Sequence, residues 1–344
     1  MKAVYIKAHG GMDQVRVGQL DDPTPKDDEV VLAVRAAALN HLDIHVRNGR
    51  PGFDIPMPHV LGSDAAGVIV AVGPRSHAVR EGDEVILNPG LSCGCCEFCL
   101  RGEQSLCASF GIVGLSRPGT FAEKVAVPFW CVRPKPAYLT FEEAAALPLA
   151  TLTAWRMLMT RCNLQAGDTV LIHGIGGGVA LAGLAIARNA GAQVIVTSSS
   201  DVKLGKASAL GAHHTINYKT QDVAARVREI TRGRGVDIVM DSVGAATWPV
   251  DFAAVRRGGK IVLCGVTSGP LAETNLQALY WNQLNIMGST MGSAEDFRRM
   301  LAAVDTANFR PVIDSVLPID DAPQALQKME SGAQFGKIIL RIEK

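Results

Sequence analysis

The stretch that decides the fold is TVLIHGIGGGVALAGLAIARNAGAQVIVTS, residues 169–198. Its first five residues predict a buried strand, the glycines that follow predict a turn, and 178–190 predicts a helix. A second apolar run at 193–198 predicts another strand. Because a helix joins the two strands, this order predicts a βαβ unit with parallel strands.

The same alternation continues toward the carboxyl terminus. Residues 201–210 predict a helix, VDIVMDSV (236–243) and KIVLCGV (260–266) predict strands, and a helical stretch separates those two strands. Near-continuous apolar strands that alternate with helices predict a doubly wound parallel sheet covered on both faces. The tail predicts a helix near 294–305 and a final strand, KIILRI.

The chain before this region has a different pattern. EVVLAVRAAALN (29–40), VLGSDAAGVIVAV (60–72) and DEVIL (83–87) predict strands separated by glycine and proline. Such runs predict a β-rich barrel or sandwich. The segment 140–159 predicts a helix with an acidic first turn. The fold class expected for the whole chain is therefore α/β, with a β-rich first part.

Composition limits the class of protein. A length of 344 residues predicts about two domains, and 48% hydrophobic residues supply enough core material to exclude disorder. Lys plus Arg total 34 and Asp plus Glu total 33, so the net charge of +1 gives no field for binding nucleic acid. Residues 1–11 carry no signal sequence, and glycines interrupt the apolar stretch 170–187. We therefore expect a cytoplasmic protein with no membrane partner.

Five of the eight cysteines lie between Cys93 and Cys107. The spacing Cys93-x2-Cys96-x2-Cys99-x7-Cys107 predicts four thiolates around one tetrahedral zinc with no open position for water, which is typical of a structural site. The alternatives are a group of buried free cysteines, an iron–sulfur cluster, or a zinc ribbon that binds nucleic acid. Cys95 lies in the same loop, and the spacing favours Cys96 over Cys95 as the ligand.

The glycine run after the first strand of the βαβ unit predicts a dinucleotide site. Glycines between a strand and a helix let the backbone approach a pyrophosphate, whose charge is stabilised at the helix N-terminus. No single G-x-G-x-x-G frame fits, and Ala180 stands at the expected third-glycine position, where alanine is tolerated. The residues expected to bind the cofactor here are Gly174, Gly176, Gly177, Gly178 and Val179.

The tip of the next strand is expected to select the cofactor. NAD sites usually carry an acidic residue there for the ribose 2′-hydroxyl, but this chain reads VTSSSDVK over 196–203. The hydroxyl of Ser199 and the ammonium of Lys203 supply the donors and the positive charge that a 2′-phosphate needs, so they predict NADP rather than NAD. Asp201 opposes this prediction. The alternative is that the serines cap the next helix and that Lys203 is solvated.

Further motifs occur along nearly the whole chain. They are Val60-Leu61-Gly62-Ser63-Asp64 with Gly67, Leu147-Pro148, Thr153-Ala154-Trp155, Asp237 to Gly244, Gly258-Gly259-Lys260-Ile261 and Gly288-Ser289. With the cysteine loop and the glycine turn, they resemble the medium-chain dehydrogenase/reductase superfamily. The resemblance implies a GroES-like catalytic domain formed by 1–150 with 288–344, with the structural zinc lobe at 90–108, and a Rossmann domain at 151–287. It also implies a homodimer or homotetramer that acts on a small-molecule substrate.

The resemblance is divided between two branches of that superfamily. Zinc alcohol dehydrogenases hold a catalytic zinc with a Cys, with the His of a Gly-His-Glu motif, and with a later Cys or acid. The corresponding positions here are Asn40, Gly62-Ser63-Asp64 and Ala150-Thr151, so ligands for a catalytic zinc are missing. By contrast, Asn40-x2-Asp43 with Arg47-Asn48-Gly49 resembles the quinone oxidoreductases, which lack catalytic zinc. The combination predicts that the structural zinc is kept and the catalytic zinc is lost.

The expected activity follows from the missing ligands. Without a Lewis acid, NADPH-dependent hydride transfer to a quinone, enone or other conjugated carbonyl is favoured, because the substrate's own carbonyl accepts the charge. We expect Asn40, His41 and His45 to supply hydrogen bonds or a proton to that substrate. The resemblance also implies that Thr153 faces the nicotinamide and that Tyr218 lies beside the 2′-phosphate. The alternative is that the histidines only line the substrate-binding site and take no part in the reaction.

Two other functions remain open from the sequence. One is a zinc-type alcohol dehydrogenase with rearranged ligands, for which His41, His45, His59 and Asp64 are available. The other is a cofactor-binding protein without catalytic activity, which an intact glycine turn argues against. Candidates for the lining of the substrate pocket are Phe53, Phe110 and Tyr280.

Overall fold

The structure, a computed structural model, describes residues 1–49, 52 and 54–342. The chain forms two compact units, one made of Met1–Ala150 with Ser293–Lys344 and the other of Thr151–Gly292. The second boundary predicted from the sequence is 288, where a strand of the second unit ends in the structure, and the first unit resumes at Ser293. Across the described residues, no helix is both long enough and apolar enough to cross a membrane.

Short strands dominate the first unit, whereas strands and helices alternate in the second. The first unit begins with β1 (Lys2–Ile6), β2 (Val15–Gln19), β3 (Glu29–Ala38), α1 (His41–Asn48), β4 (His59–Val60), β5 (Asp64–Val72), β6 (Glu84–Leu87), β7 (Gly90–Leu91), α2 (Glu97–Leu100), β8 (Gly111–Ile112), β9 (Lys124–Pro128), β10 (Val132–Pro134) and α3 (Phe141–Ala145). Helix α4 (Pro148–Trp155) leads into β11 (Thr169–Ile172), α5 (Gly178–Asn189), β12 (Gln193–Ser198), α6 (Asp201–Ala209), β13 (His214–Asn217), α7 (Val223–Ile230), β14 (Val236–Asp241), α8 (Trp248–Ala254), β15 (Val255–Leu263), α9 (Leu276–Trp281) and β16 (Asn285–Gly288). The tail contains α10 (Ala294–Thr306), β17 (Ile313–Pro318), α11 (Ala322–Glu330) and β18 (Lys337–Arg341).

The main sheet of the first unit is built around β3. Its order is β10–β6–β5–β3–β18–β17, and β9 also pairs with β3. Strand β18 runs antiparallel to β3, with Leu340 opposite Ala37. Where β5 pairs with β3, a Cβ at Gly67 would lie 2.1 Å from the carbonyl oxygen of Ala33, so this contact requires glycine. The tail of the chain therefore completes a sheet that the N-terminal part begins.

The second unit contains one parallel sheet. Its order is β13–β12–β11–β14–β15–β16, and every neighbouring pair is parallel. This is the doubly wound order 3-2-1-4-5-6 of a Rossmann fold, whose switch point lies between β11 and β14. Leu171, Ile195 and Val239 from three of these strands are buried in one apolar cluster. The predicted α/β fold class is confirmed.

The helix predicted over 140–159 is wrong as a single element. Thr140 caps α3, because its Oγ1 accepts a hydrogen bond from the N–H of Glu143 at 3.2 Å. The chain then leaves α3 before Pro148, which has no N–H and disfavours helical backbone in the residue that precedes it. After α4 the backbone forms a π-helix over Arg156–Arg161. The segment predicted as one helix therefore forms two short α-helices and a π-helix.

Candidate active site and metal centre

Four cysteine sulfurs meet in the loop between β7 and β8. The Sγ atoms of Cys93, Cys96, Cys99 and Cys107 all lie within 4.8 Å of one another. Cys96 is 3.5 Å from Cys99, Cys107 is 3.5 Å from Cys93, and Cys93 is 3.9 Å from Cys99, measured between sulfurs. A tetrahedral zinc bound at about 2.3 Å holds its sulfur ligands about 3.8 Å apart. The spacing of the sulfurs therefore fits one zinc with four thiolate ligands.

The backbone of this loop favours the thiolate form. The N–H groups of Cys95 and Cys96 lower the pKa of the Cys93 thiol to about 6. Cys95 itself is exposed and is not one of the four clustered sulfurs. Within the described part of the chain, no other group of three or more His, Cys, Asp or Glu side chains is close enough to share a metal ion.

The predicted glycine turn connects β11 to α5. Gly174 has φ of +67° and Gly176 has φ of +134°, backbone conformations that a side chain disfavours. The N–H of Ile175 donates to the carbonyl oxygen of Thr197 at 2.9 Å, which attaches the turn to β12. The turn and the first residues of α5 contain all five predicted cofactor residues, Gly174, Gly176, Gly177, Gly178 and Val179. A pyrophosphate fits such a turn, because the free N–H groups of the helix face it.

A glycine that the sequence analysis does not identify lets α5 approach the sheet. A Cβ at Gly183 would lie 2.6 Å from the Sδ atom of Met240 in β14. Ala180, assigned from the sequence to the third-glycine position, is also buried. Gly183, about one helical turn after Ala180, therefore leaves room for the side chain of Met240 between α5 and the sheet.

A buried contact between a histidine and an aspartate lies next to the glycine turn. His173 Nε2 is 2.9 Å from Asp251 Oδ1, and His173 Nδ1 is 3.1 Å from Thr197 Oγ1. The same Oγ1 accepts a hydrogen bond from the N–H of Gly174 at 3.4 Å. Burial raises the pKa of Asp251 to about 6, although His173 opposes this effect. A continuous chain of contacts thus connects the buried pair to the backbone of the turn.

The serines at the tip of β12 have different roles. Ser198 Oγ accepts a hydrogen bond from the N–H of Ser200 at 3.2 Å, and Ser200 Oγ accepts one from the N–H of Lys203 at 3.4 Å. Ser200 is therefore the N-cap of α6, as the alternative reading of this segment expected. Ser199 lies between these two residues and is half-buried.

Asp201, whose carboxylate would disfavour NADP, accepts a hydrogen bond from a neighbouring side chain. Its Oδ1 accepts a hydrogen bond from Asn217 Nδ2 at 2.7 Å. Asn217 lies opposite Ser198 in the parallel pairing of β12 with β13. The next residue, Tyr218, donates its N–H to the carbonyl oxygen of Ser198 at 3.1 Å, and its side chain is 52% exposed. The phenol ring therefore lies near the strand tip and is accessible there.

Asn40 belongs to a buried polar network in the first unit. Its Nδ2 donates to Asp64 Oδ2 at 2.8 Å and to the carbonyl oxygen of Ala38 at 3.3 Å. Its Oδ1 accepts from Lys337 Nζ at 2.6 Å, and that ammonium also lies 3.1 Å from Asp64 Oδ2. Asp64 Oδ1 accepts from the N–H of Leu149 at 2.8 Å. Lys337 comes from the other end of the chain and is not among the site residues predicted from the sequence.

Helix α1 starts directly after Asn40 and is anchored at both ends. The carboxylate of Asp43 accepts the N–H of Asn40 at 2.8 Å. Burial raises the pKa of Asp43 to about 7, although the N–H of Asn40 and the charge of Lys337 oppose this effect. Near the other end of the helix, buried Arg47 pairs with Glu330 of α11, with 2.6 Å between Nη2 and Oε1. These contacts fix the helix that carries the candidate histidines.

His41 and His45 lie one turn apart on the exposed side of α1. Their ring centroids are 5.2 Å apart in an edge-on arrangement. Desolvation lowers the pKa of His41, although the carboxylate of Glu330 opposes this effect. His41 is therefore neutral at neutral pH and has one ring N–H to donate.

The segment that corresponds to Gly-His-Glu carries no metal-ligating histidine. Gly62 has φ of +97°, and a Cβ there would lie 2.2 Å from the ring of Phe121, so glycine is required. Ser63 is fully buried, and its Oγ has no hydrogen-bond partner among the described residues. His59 Nε2 is 3.0 Å from the carbonyl oxygen of Gly114, and burial lowers its pKa.

The remaining candidates lie in different environments. Thr153 is buried in α4. Phe110 is half-buried at the end of the cysteine loop, and Tyr280 is 66% exposed on α9. Phe53 lies outside the described residues.

Comparison with known proteins agrees with this geometry. The alcohol dehydrogenase GroES-like domain family matches residues 26–137, and the zinc-binding dehydrogenase family matches residues 178–306. A zinc-type alcohol dehydrogenase-like protein of Schizosaccharomyces pombe is 34% identical over 97% of this chain and 96% of its own length. The chain belongs to the medium-chain dehydrogenase/reductase superfamily.

Other members of the superfamily are similar over the whole length. Human quinone oxidoreductase is 27% identical over 99% of this chain and 97% of its own. A crystal structure of an NAD-dependent alcohol dehydrogenase matches with a TM-score of 0.96 and 42% identity over both complete chains. This chain is therefore an NAD(P)-dependent oxidoreductase of the medium-chain type. The superfamily also implies a structural zinc, which the four cysteines fit.

Proposed function

We propose that this protein is an NADPH-dependent reductase of quinones, enones or other conjugated carbonyls that acts without a catalytic zinc. One observation carries the proposal. The positions of the catalytic zinc ligands hold Asn40 and Ser63, and the neighbouring carboxylate of Asp64 is engaged by Lys337, Asn40 and the backbone of Leu149. An amide and a hydroxyl are poor substitutes for thiolate and imidazole as zinc ligands. The donor set does not fit a catalytic zinc.

The chemistry that remains suits a conjugated carbonyl. A bound nicotinamide coenzyme supplies the hydride. The negative charge then develops on the substrate's own oxygen, where hydrogen-bond donors stabilise it. Both amide hydrogens of Asn40 already have acceptors, so we assign this donation to His41 and His45. A neutral imidazole donates a hydrogen bond but is a very weak acid, so the proton that completes the reduction comes from water, with a histidine that gains one proton as it gives up another. Asn40 contributes by fixing the start of the helix that carries both histidines.

We further propose NADP as the preferred cofactor. Ser199 and Lys203 lie in the segment at the tip of β12, and Tyr218 lies beside it. Asp201 would repel a 2′-phosphate, but its carboxylate already accepts a hydrogen bond from the Asn217 amide. Hydroxyl and ammonium donors provide the charge-assisted hydrogen bonds that a phosphate needs. Several relatives are named NAD-dependent, so the two cofactors must be compared directly.

The second unit has two features that favour pairing with a second copy of the chain. Strand β16 is the last strand on its side of the parallel sheet and leaves an edge for pairing. The adjoining helix α9 has no buried residue, and Leu276 and Trp281 on it are 69% and 67% exposed. We propose that two copies pair through this edge and cover the apolar helix. Sedimentation of the wild type and of Ile286→Lys in β16 tests this, because a charge on the edge strand should produce monomers.

The experiment that tests the function combines zinc content with a substrate screen. Elemental analysis should give one zinc per chain. NADPH oxidation at 340 nm should be fast with quinones and enones and should persist after treatment with a chelator that removes weakly held metal. About two zinc ions per chain, with alcohol oxidation that the chelator abolishes, would overturn the proposal. That result would favour the zinc-type alcohol dehydrogenase, which the names of several relatives support.

A further inference from the structure

Lys337 is a buried cation whose hydrogen-bonding capacity is fully used. It lies on β18 and is 5% exposed. Its Nζ donates to the carbonyl oxygen of Leu39 at 2.7 Å, to Asn40 Oδ1 at 2.6 Å and to Asp64 Oδ2 at 3.1 Å. An ammonium has three donors, and three acceptors surround this one. Lys337 therefore has no N–H left for a substrate, and its effect on the site acts through its partners.

This cation fixes the orientation of the Asn40 amide. Lys337 can only donate and the Asp64 carboxylate can only accept, so the amide oxygen faces the ammonium and the amide nitrogen faces the carboxylate. A rotation by 180° would place two donors against each other and two acceptors against each other. Asn40, which stands at the position of the first zinc ligand, is thus held in one orientation by the ion pair of Lys337 and Asp64.

We propose that Lys337 is a positioning residue for the reaction: paired with Asp64, its ammonium holds Asn40 at the start of α1, the helix that carries His41 and His45. This inference rests on the proposed function. The charge of Lys337 is balanced by that of Asp64, so its effect on the reaction acts through the position of Asn40 and of the helix that follows it, not through a net positive charge.

Replacing both charges of the network should cost much less stability than removing one, which allows a positioning role to be separated from a structural one. Taking two charges out of water costs several kcal/mol each, so an apolar or neutral pair of similar volume can replace a buried ion pair without loss of stability. Removing only one partner leaves an uncompensated charge and is strongly destabilising. A variant that neutralises both partners should therefore fold and should reveal the effect on rate.

The test compares Lys337→Met, Lys337→Arg and the double variant Asp64→Asn/Lys337→Met. Lys328→Met is the matched control, since Lys328 pairs with Asp314 in the same unit and contacts no candidate site residue. We expect the double variant to keep a melting temperature close to that of the wild type. Its kcat for quinone or enone reduction should fall by about 10- to 100-fold with KM changed less than threefold. Lys337→Arg should retain much of the rate, and the control should match the wild type.

The outcomes separate this inference from the proposed function. A folded double variant with the kcat of the wild type overturns the role of Lys337. If the wild type oxidises alcohols instead, the proposed function fails, and the same variants are measured with the alcohol, where an unchanged kcat in the folded double variant would overturn the positioning role of Lys337.

A second readout does not require activity. In protein labelled with ¹⁵N-asparagine, the side-chain amide of Asn40, identified by its absence in Asn40→Ser, should give two slowly exchanging proton signals. Both signals should persist in Lys337→Arg and exchange rapidly in the double variant. Slow exchange in the double variant would show that other contacts fix Asn40 and would overturn the positioning role.

Discussion

Replacement of Asp43 by asparagine should make the first unit less sensitive to pH. Asp43 is 1% exposed and caps α1 by accepting the N–H of Asn40 at 2.8 Å. Burial raises its pKa from 3.8 to about 7. A carboxyl group whose pKa is higher in the folded than in the unfolded state stabilises the fold fully below pH 3.8. That stabilisation is lost as the pH rises through 7.

The size of the effect follows from these two pKa values. Linkage between them predicts that the Asp43 carboxyl lowers the free energy of unfolding by roughly 2.5 kcal/mol between pH 5 and pH 8. Asparagine keeps an acceptor for the N–H of Asn40 and has no charge to lose. The difference in unfolding free energy, variant minus wild type, should therefore increase by about that amount over this range. Any constant cost of burying the new amide shifts the whole curve and leaves the slope unchanged.

Urea unfolding followed by circular dichroism at pH 5, 6, 7 and 8 measures this difference. The exposed Asp305 of α10 provides the control, because Asp305→Asn should give a difference that does not change with pH. A flat difference for Asp43→Asn as well would refute the reasoning, since it would mean that the Asp43 carboxyl binds its proton equally in the folded and unfolded chains.

Three further predictions concern the metal and cofactor residues. Cys96→Ser should reduce zinc to well below one per chain by elemental analysis, whereas Cys95→Ser should keep it, because only Cys96 joins the four clustered sulfurs. Lys203→Ala should raise KM for NADPH by about 10- to 100-fold, the loss expected for one charge-assisted hydrogen bond, and should change KM for NADH less than threefold. His173→Asn should lower the free energy of unfolding by about 1 to 3 kcal/mol, because it takes away the imidazole that contacts the buried carboxyl group of Asp251, and calorimetry should show weaker dinucleotide binding.

Features that depend on neighbours in sequence could be predicted from the sequence. The βαβ unit follows from an apolar strand, a glycine turn and a helix in succession. The cysteine loop follows from a spacing that brings four sulfurs together within a short segment. The turn from Gly174 to Gly178 lies where it was expected, and Cys96 rather than Cys95 joins the sulfur group. In each case the feature is contained in a segment of about thirty residues or fewer, so residues that are close in sequence are also close in space.

Contacts between distant segments could not be predicted. Lys337 reaches Asn40 across 297 residues, and His173 reaches Asp251 across 78. In the sequence, Lys337 is one charged residue at the start of an apolar strand, and His173 is an interruption in another. Each residue matters because it is buried next to its partner, and that depends on how distant segments of the chain pack together. The strand His214–Asn217 was missed for a related reason, since its four residues carry no alternation of their own.

The missing zinc ligands and the buried lysine are connected by charge balance. Asp64 is 0% exposed, and a carboxylate in that position is strongly destabilising unless a cation compensates it. The residues at the zinc-ligand positions, Asn40 and Ser63, are neutral, so the compensating charge comes from β18. That strand therefore completes the main sheet and also balances the charge of the site. Because successive side chains of a strand point to opposite faces, a shift of β18 by one residue along β3 would turn Lys337 away from Asp64. The register of the sheet thus determines whether Lys337 can balance the charge of Asp64, even though the amino-acid sequence of the site would be the same.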